Sequence, residues 1–237
     1  MKDLLQKFFY PQSIALIGAS RTPLGQKATL SHTGSLSGED PIYDGAFRQA
    51  GVVRASDFGE MVDLARVFIS QPALNGKRIG ILTTSGSLGA MAADALYQEG
   101  MELASWSRRT IENVRRVAPD WMNVKNPLDI GPSGIFPMAA EAVISDPKAD
   151  GFILIPVFPH MAIEIRSRFG LDVPKILGPW QALRNRAKAK PIIAVLIGSQ
   201  MWRSHVQDLC KTSIATVETP EAAARALAAL YRLRPKS

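Results

Sequence analysis

Short apolar runs alternate with amphipathic stretches from Lys77 to the end of the chain. Runs such as "GFILI" and "PIIAVLIG" are bounded by glycine, proline or polar residues, and a stretch with helical spacing of apolar residues follows each of them. Continuous apolar runs of this length are typical of strands that are buried on both faces. Because a helix must carry the chain from one parallel strand to the next, this alternation predicts an α/β domain with helices on both faces of a parallel sheet.

The predicted elements follow one another closely in this part of the chain. We predict five strands, in "RIGILTT", "MELASW", "ADGFILIPVF", "KPIIAVLIG" and "TSIATV". The predicted helices are "SGSLGAMAADALYQEG", "TIENVRRVAP", "GIFPMAAEAVISD" from about Pro137, "WQALRNRAKA", "MWRSHVQDLC" and "PEAAARALAALYRLR", the last with Pro220 at its first position. Five parallel strands joined by right-handed crossovers suit a flavodoxin-like domain.

The first third of the chain contains fewer elements. "SIALIG" at residues 13–18 predicts one buried strand, and "GEDPIYDGAFRQAG" predicts a helix that ends at Gly51. "DFGEMVDLARVFIS" predicts a second helix with Asp57 as its N-cap, before a break near Gly76. One strand and two helices are too few for a self-sufficient domain. We therefore expect this incomplete α/β segment to dock on the C-terminal domain or to need another chain.

The charge balance of the chain favours anionic partners. It has 28 Lys and Arg residues against 21 Asp and Glu residues, for a net charge of +7. The basic residues lie along helix faces without interleaved aromatic residues, so we predict no nucleic-acid binding. No apolar run reaches the ~18 residues of a membrane helix, and the start "MKDLLQKFFYPQS" does not resemble a secretory signal. A cytoplasmic protein with no membrane role is the prediction.

The residues that commonly bind metals are scattered. Cys210 is the only cysteine, which excludes a disulfide within the chain and any multi-cysteine metal site. The three histidines, His32, His160 and His205, include no H-x-x-x-H pair. We predict no metal site of the protein's own.

Two loops that follow predicted strands are candidates for anion binding. After "RIGILTT" the turn contains Ser85, Gly86, Ser87 and Gly89. Such small residues let an anionic oxygen approach free backbone N–H groups at a helix N-terminus, which carries roughly half a positive charge. The turn either binds phosphate or only packs its helix closely on the sheet.

The other loop, "IGASRTPLGQ", lacks the G-x-G-x-x-G spacing of dinucleotide-binding proteins. Its residues Ala19, Ser20 and Arg21 either face a phosphate or form an ordinary turn after a strand.

His32 lies among small hydroxyl residues and glycines in "KATLSHTGSLSGED". A neutral imidazole can attack phosphorus and carry a phosphoryl group, and Thr33, Gly34 and Ser35 offer compact donors for its oxygens. The alternative is a solvated polar residue in a loop.

Together these segments resemble the NDP-forming acyl-CoA synthetases, the superfamily that includes succinyl-CoA synthetase and ADP-forming acetyl-CoA synthetase. "FYPQSIALIGAS" resembles the opening of their CoA-binding domain, and "SHTGSLSGEDPIYDGAFRQAGVVRASDFGEMVDLA" resembles the segment that carries their phosphorylated histidine. "GKRIGILTTSGSLGAMAADALYQEGMEL", "NPLDIG", "DPKADGFILIPVF" and "TPEAAARALAAL" resemble their last flavodoxin-like domain. The resemblance divides the chain into a remnant of the CoA-binding domain at 1–26, a phosphohistidine segment at 27–76 and a complete flavodoxin-like domain at 77–237.

The resemblance also implies roles for individual residues. His32 would be the phosphohistidine that relays phosphate between an acyl phosphate and a nucleotide. The remaining residues would bind phosphate (Ser31, Thr33, Gly34, Ser85, Gly86, Ser87, Gly89), shape the site (Asn126, Pro127, Asp129, Gly131) or bind CoA (Gly18, Ala19, Ser20, Arg21).

The chain also departs from the family pattern. In the family a long stretch separates the opening loop from the phosphohistidine segment, whereas here Gln26 leads almost directly into "KATLSHTG". The resemblance therefore includes no counterpart of most of the CoA-binding domain, of the first part of the second domain or of the glutamate that would orient the histidine. It includes no ATP-grasp domain either.

The function that the resemblance implies is that of an alpha-type chain of an acid–CoA ligase. Acid, CoA and ATP would give acyl-CoA, ADP and phosphate. The substrates of the complete assembly would be a small acid or its acyl-CoA, CoA, ATP or ADP, and Mg²⁺. No tightly bound cofactor is expected. An ATP-grasp (beta-type) subunit or domain is the expected partner, and a homo-oligomer is compatible with the pattern. The alternative is a non-catalytic phosphate- or nucleotide-binding module that acts through contacts with partners.

Overall fold

The computed structural model describes residues 24–25, 27, 40–157, 180–187, 189–198 and 212–233. The chain divides into two compact units, Met1–Ala65 and Arg66–Ser237. Several predicted features lie outside the described residues: the strand at 13–18, the helix at 201–210 with His205 and Cys210, and His160. The three-part division of the chain stays a prediction.

The first unit contains helix α1 (Asp40–Ala50) and the start of helix α2 (Phe58–Ser70). Gly51 follows α1 with a φ of 69°, in the left-handed region where glycine carries no Cβ penalty, and this confirms the predicted helix end. The N–H of Glu60 donates to Asp57 Oδ1 at 2.9 Å, which confirms Asp57 as the N-cap of α2. Local sequence signals therefore set the limits of both helices.

The second unit is built on a parallel sheet with helices on both faces. Its strands are β1 (Arg78–Thr83), β2 (Glu102–Leu103), β3 (Leu128–Asp129), β4 (Gly151–Ile155), β5 (Ile192–Val195) and β6 (Ala215–Val217). Its further helices are α3 (Gly86–Gln98), α4 (Arg108–Arg115), α5 (Phe136–Ile144), α6 (Trp180–Ala187) and α7 (Pro220–Arg232). The sheet order β2-β1-β4-β5-β6 is that of flavodoxin-like proteins, so the predicted fold is confirmed.

The strand count differs from the prediction, because the described sheet has six strands rather than five. The additional strand, β3, pairs with the second half of β1 (Leu82 opposite Leu128), whereas β2 pairs with its first half (Arg78 opposite Glu102). Two short strands thus share one edge of β1. A two-residue strand directly after Pro127 is too short to produce a periodic pattern in the sequence.

Two helix starts follow from local capping. Helix α4 begins at Arg108 rather than at the predicted Thr110, because the Ser107 side chain accepts a hydrogen bond from the Thr110 N–H at 3.2 Å. Helix α7 begins at Pro220, as predicted, and Thr219 caps it by accepting from the Ala222 N–H at 3.1 Å.

The core lies on both faces of the central strands. Leu82, Phe152 and Leu154 point to one face, where they are buried in the cluster that α4, α5 and α6 cover. Ile81 and Ile153 lie at alternate positions and are also fully buried, on the face that α3 and α7 cover. Burial on both faces explains why these strands have no polar alternation in the sequence.

In the part of the chain that the structure describes, no helix has the length and apolar character needed to cross a membrane.

Candidate functional site

The candidate site lies at the carboxyl ends of β1 and β4, where the strand order reverses. In open parallel sheets the crevice at such a switch point is the usual ligand site. Thr84 joins the two strand ends here: its hydroxyl donates to the Val157 carbonyl at 2.8 Å and accepts from the Val157 N–H at 2.7 Å. The Thr84 N–H also donates to the Ile155 carbonyl at 3.2 Å. The turn that follows β1 is therefore held firmly at this edge.

The predicted anion turn, Ser85 to Gly89, connects β1 to α3 through compact local hydrogen bonds. The hydroxyl of the buried Thr83 accepts from the Ser85 N–H and donates to the Ser85 carbonyl, both at 2.9 Å. Ser85 occupies the N-cap position with extended backbone, yet its side chain makes no capping hydrogen bond and instead lies 3.1 Å from the Ser87 hydroxyl. Ser85 therefore leaves the N–H groups of the first turn of α3 without a side-chain acceptor of its own.

The segment "NPLDIG" packs directly against this turn. A Cβ at Gly86 would lie 2.8 Å from Asp129 Oδ2, and a Cβ at Gly89 would lie 2.9 Å from Thr83 Cγ2 and 3.3 Å from Pro127 Cβ. The distances to Asp129 Oδ2 and to Thr83 Cγ2 are shorter than real Cβ contacts, so a side chain at Gly86 or Gly89 would have to displace its neighbour. The structure thus brings Gly86 and Gly89 together with Pro127 and Asp129, which are far away in the sequence.

Asn126 fills the space between β2 and β3 along the edge of β1. Its Oδ1 accepts from the Ile81 N–H at 3.0 Å, and its Nδ2 donates to the carbonyls of Ile79 and Ala104, each at 2.8 Å. The side-chain amide pairs with backbone as a peptide of a neighbouring strand would. Sequence reasoning placed Asn126 near the site but missed this role, and no local signal in the sequence indicates it.

Asp129 places a carboxylate beside the start of α3. Its Oδ1 accepts from the Gly131 N–H at 2.9 Å, and Gly131 has a φ of 47°. Its other oxygen is the one that approaches Gly86. A negative charge at this position stabilises the helix N-terminus, and an anion bound there would need a proton or a metal ion between its oxygen and the carboxylate.

The remaining predicted site residues lie outside the described residues. These are the candidate phosphohistidine and its neighbours (Ser31, His32, Thr33, Gly34) and the candidate CoA contacts (Gly18, Ala19, Ser20, Arg21). Their roles stay predictions. Among the described residues, no cluster of three or more His, Cys, Asp or Glu side chains suits a metal ion.

Comparison with known proteins identifies the family. Residues 9–68 match the succinyl-CoA ligase like flavodoxin domain. The alpha subunit of acetate–CoA ligase (ADP-forming) II from Pyrococcus furiosus is 31% identical over 233 residues, which cover 97% of this chain and 50% of that protein. This chain belongs to the NDP-forming acyl-CoA synthetase family.

A further relative and a solved structure are also similar to this chain. The acetate–CoA ligase (ADP-forming) from Methanocaldococcus jannaschii is 42% identical over 125 residues, which cover 53% of this synthetase-family chain and 18% of the relative. A crystal structure of a protein from Pyrococcus horikoshii OT3 superposes with a TM-score of 0.72 at 32% identity, over 83% of this chain and 44% of that one. The chain spans half or less of the length of each of these relatives.

Proposed function

We propose that this chain is an alpha-type component of an NDP-forming acid–CoA ligase and that it carries a phosphoryl relay on His32. The net reaction would convert acid, CoA and ATP into acyl-CoA, ADP and phosphate. The similarity to proteins named as ADP-forming acetate–CoA ligases, one of them an alpha subunit, supports this reaction class.

The observation that carries the proposal is the geometry of the Ser85–Gly89 turn. It lies at the switch point of the sheet, at the start of a thirteen-residue helix whose first turn contains no acidic residue. Gly86 and Ser87 are exposed, so a phosphoryl oxygen can approach the backbone there. The helix dipole and the free N–H groups would then stabilise its negative charge.

The relay consists of two balanced transfers. In the direction of acyl-CoA synthesis, a neutral ring nitrogen of His32 attacks the γ-phosphorus of ATP, an N–P bond forms, and ADP leaves as the P–O bond breaks. The carboxylate of the acid then attacks the same phosphorus, the N–P bond breaks, and acyl phosphate forms. The CoA thiol finally displaces phosphate from the acyl carbon, and its proton passes to solvent or to phosphate.

The proposed residues hold and position the phosphoryl group. Ser31, Thr33 and Gly34 would donate to its oxygens beside the histidine. The Ser85–Gly89 turn would offer a phosphate the N–H groups at the start of α3. Mg²⁺ brought with the nucleotide would reduce the repulsion between a phosphate at that turn and the Asp129 carboxylate. In this proposal Asn126, Pro127 and Gly131 shape the turn without reacting.

An ATP-grasp subunit or domain is the proposed source of the nucleotide site. We propose an ATP-grasp subunit that presents ATP or ADP to His32, and we assign CoA contact to Gly18, Ala19, Ser20 and Arg21. That the Pyrococcus furiosus relative is named a subunit alpha is in keeping with such a partner. The acid is a small molecule that reaches the histidine after the nucleotide has left.

Intact-protein mass spectrometry at alkaline pH tests the relay. The chain is incubated with ATP, Mg²⁺ and an ATP-grasp subunit that is active with a full-length alpha chain. We expect a gain of one phosphoryl group that is acid-labile, absent in His32→Asn and retained in His205→Asn, the matched substitution of another histidine.

If the wild-type chain gains no phosphoryl group under these conditions, the relay proposal is wrong. The second candidate is a non-catalytic phosphate- or nucleotide-binding module that acts through contacts with partners, and it is favoured by the exposed Gly86 and Ser87 at the start of α3, which need no histidine to accept an anion. Phosphate binding that depends on the Ser85–Gly89 turn, without phosphorylation of His32, would support that candidate instead.

A further inference from the structure

A pocket of about 550 Å³ opens between the end of α4 and the loop after β3. Its walls include Arg116, Val117, Pro119, Trp121, Pro132 and Ser133. This volume lies within the range of about 300 to 1,000 Å³ that is typical of small-molecule sites. The pocket contains none of the residues of the Ser85–Gly89 turn, so the proposed function does not account for it.

Trp121 is the first feature that points to a ligand. Its side chain is 64% exposed, whereas Trp106 and Trp180 are 6% and 8% exposed. The ring tip lies near Gly131, since a Cβ at Gly131 would lie 3.5 Å from Trp121 Cη2. An indole face left in solvent at the wall of a pocket is suited to stack against a flat ring, which would remove both apolar surfaces from water.

Arg116 supplies a positive charge at the same pocket. It is the C-cap residue of α4, and its side chain has no ion pair among the residues that the structure describes. Arg108 on the same helix differs, because its Nε donates to Glu112 Oε1 at 2.8 Å. A cation at this position stabilises the helix C-terminus, and its planar guanidinium can also bind a carboxylate or phosphate through two parallel hydrogen bonds.

Ser133 lies in the wall of the pocket. Its Oγ is shielded from solvent and has no hydrogen-bond partner in the described part of the chain. Buried hydroxyl groups usually have a partner, and an unpaired one carries a free-energy cost until a water or a ligand provides it. The remaining walls, including Val117, Pro119 and Pro132, are apolar.

We propose that this pocket binds a small flat aromatic molecule that carries one anionic group. The aromatic ring stacks on Trp121, and the anionic group pairs with the Arg116 guanidinium. An aromatic carboxylate and a nucleoside monophosphate share this chemistry. The site is additional to the phosphoryl relay and does not depend on His32.

Isothermal titration calorimetry of the full chain tests the proposal with two aromatic probes, phenylacetate and AMP. Acetate and inorganic phosphate are their non-aromatic counterparts. We expect at least one aromatic probe to bind, with its non-aromatic counterpart at least ~10-fold weaker. Binding of phenylacetate alone would identify the carboxylate source, and binding of AMP alone the phosphate source.

Four variants locate the binding. Trp121→Ala and Arg116→Gln should each weaken binding of the probe at least ~10-fold, and Arg109→Gln, an exposed arginine of α4 outside the pocket, should leave it within about twofold. His32→Asn should bind as the wild type does, which separates this result from a failure of the relay. A thermal melt of each variant confirms folding, and Arg116→Gln decides the test if Trp121→Ala does not fold. The proposal is overturned if neither aromatic probe binds, if a non-aromatic counterpart shows equally tight binding that Arg116→Gln weakens, or if the pocket variants bind like the wild type.

Discussion

Asn126 Oδ1 accepts a hydrogen bond from the Ile81 N–H at 3.0 Å and so completes the edge of a strand to which Asn126 is not adjacent in the sequence. The same side chain donates to Ile79 and Ala104, which connects β1 with the end of β2. The next residue, Pro127, contacts Gly89, and Asp129 contacts Gly86. One side-chain amide therefore links the integrity of the sheet to the position of the candidate anion turn.

Replacement of Asn126 by Ala should destabilise the domain. Three backbone groups would each lose one hydrogen bond, although the Ile79 carbonyl still accepts from the Ala104 N–H at 2.9 Å, and we expect the free energy of unfolding to fall by about 2 to 4 kcal/mol. Urea denaturation measures the change. Asn123→Ala, at an exposed position nearby, is the matched control and should change stability by less than about 0.5 kcal/mol. Equal stability of the two variants would show that water replaces the amide without cost.

Replacement of Gly89 by Ala should be destabilising although alanine is the better helix former. The gain in helix propensity is about 1 kcal/mol, and the added Cβ would lie 2.9 Å from a buried Thr83 methyl group, where overpacking costs about 1 to 3 kcal/mol. Gly45→Ala is the control, because nothing lies within 4 Å of its added Cβ. We expect urea denaturation to show a stability loss for Gly89→Ala and none for Gly45→Ala. A stabilised Gly89→Ala variant would contradict the close contact with Thr83.

The stability of the domain should fall in acid partly through Asp146. Burial alone would raise the pKa of this carboxyl group, but hydrogen bonds from the Thr110 side chain and from the N–H groups of Ser107 and Lys148, the last two at 2.7 Å, outweigh burial and lower the pKa. In the unfolded chain the pKa of this carboxyl group is about 3.9. Its contribution to the free energy of unfolding is therefore complete above that pH and is lost as the pH falls through the lower pKa of the folded state.

Asp146→Asn measures this contribution. At neutral pH we expect the free energy of unfolding to fall by about 1 to 3 kcal/mol, because an amide oxygen is a weaker acceptor than a carboxylate. As the pH falls below about 4, the unfolding free energies of the wild type and the variant in urea denaturation should approach each other, and they should meet once the pH is below the lower folded pKa. The control Asp120→Asn, at an exposed position, should stay close to the wild type throughout. A constant difference at all pH values would show that packing rather than charge is responsible.

Replacement of Ser213 by Gly should raise the melting temperature. Ser213 has a φ of 56°, the left-handed region that costs a non-glycine residue about 1 to 2 kcal/mol. The variant keeps the backbone carbonyl at position 213, which accepts from Gln71 Nε2 at 2.8 Å. Because glycine also adds entropy to the unfolded chain, we expect a net increase of about 0.5 to 1 kcal/mol in the free energy of unfolding. Ser145→Gly, with a φ of −81° and a hydroxyl bonded to the Glu141 carbonyl, should lower the melting temperature. The opposite order would argue against strain at Ser213.

Much of the fold was predictable because its signals are local. Asp57 lies within one helical turn of the N–H that it caps, and the apolar runs of β1, β4 and β5 are continuous because both faces of these strands are buried. The strand β3 was missed because its pairing depends on the free second half of β1, which no window of neighbouring residues contains.

The candidate site was predictable only in part. The small residues of the Ser85–Gly89 turn indicate an open helix N-terminus, and the structure places them at the switch point of the sheet. The pocket at Trp121 was not anticipated, because its walls come from two segments, 116–121 and 132–135, that are separate in the sequence and meet only in the fold.

The sequence by itself determined the alternation of the main strands and helices, the N-cap of α2, the start of α7 and the class of the fold, because these depend on interactions between residues within a few positions and on the burial that apolar runs demand. Only the tertiary structure decided that Asn126 completes the edge of β1 and that Asp129 lies against Gly86. Such contacts join residues that are distant along the chain, and their geometry exists only once the sheet and its crossover helices have packed.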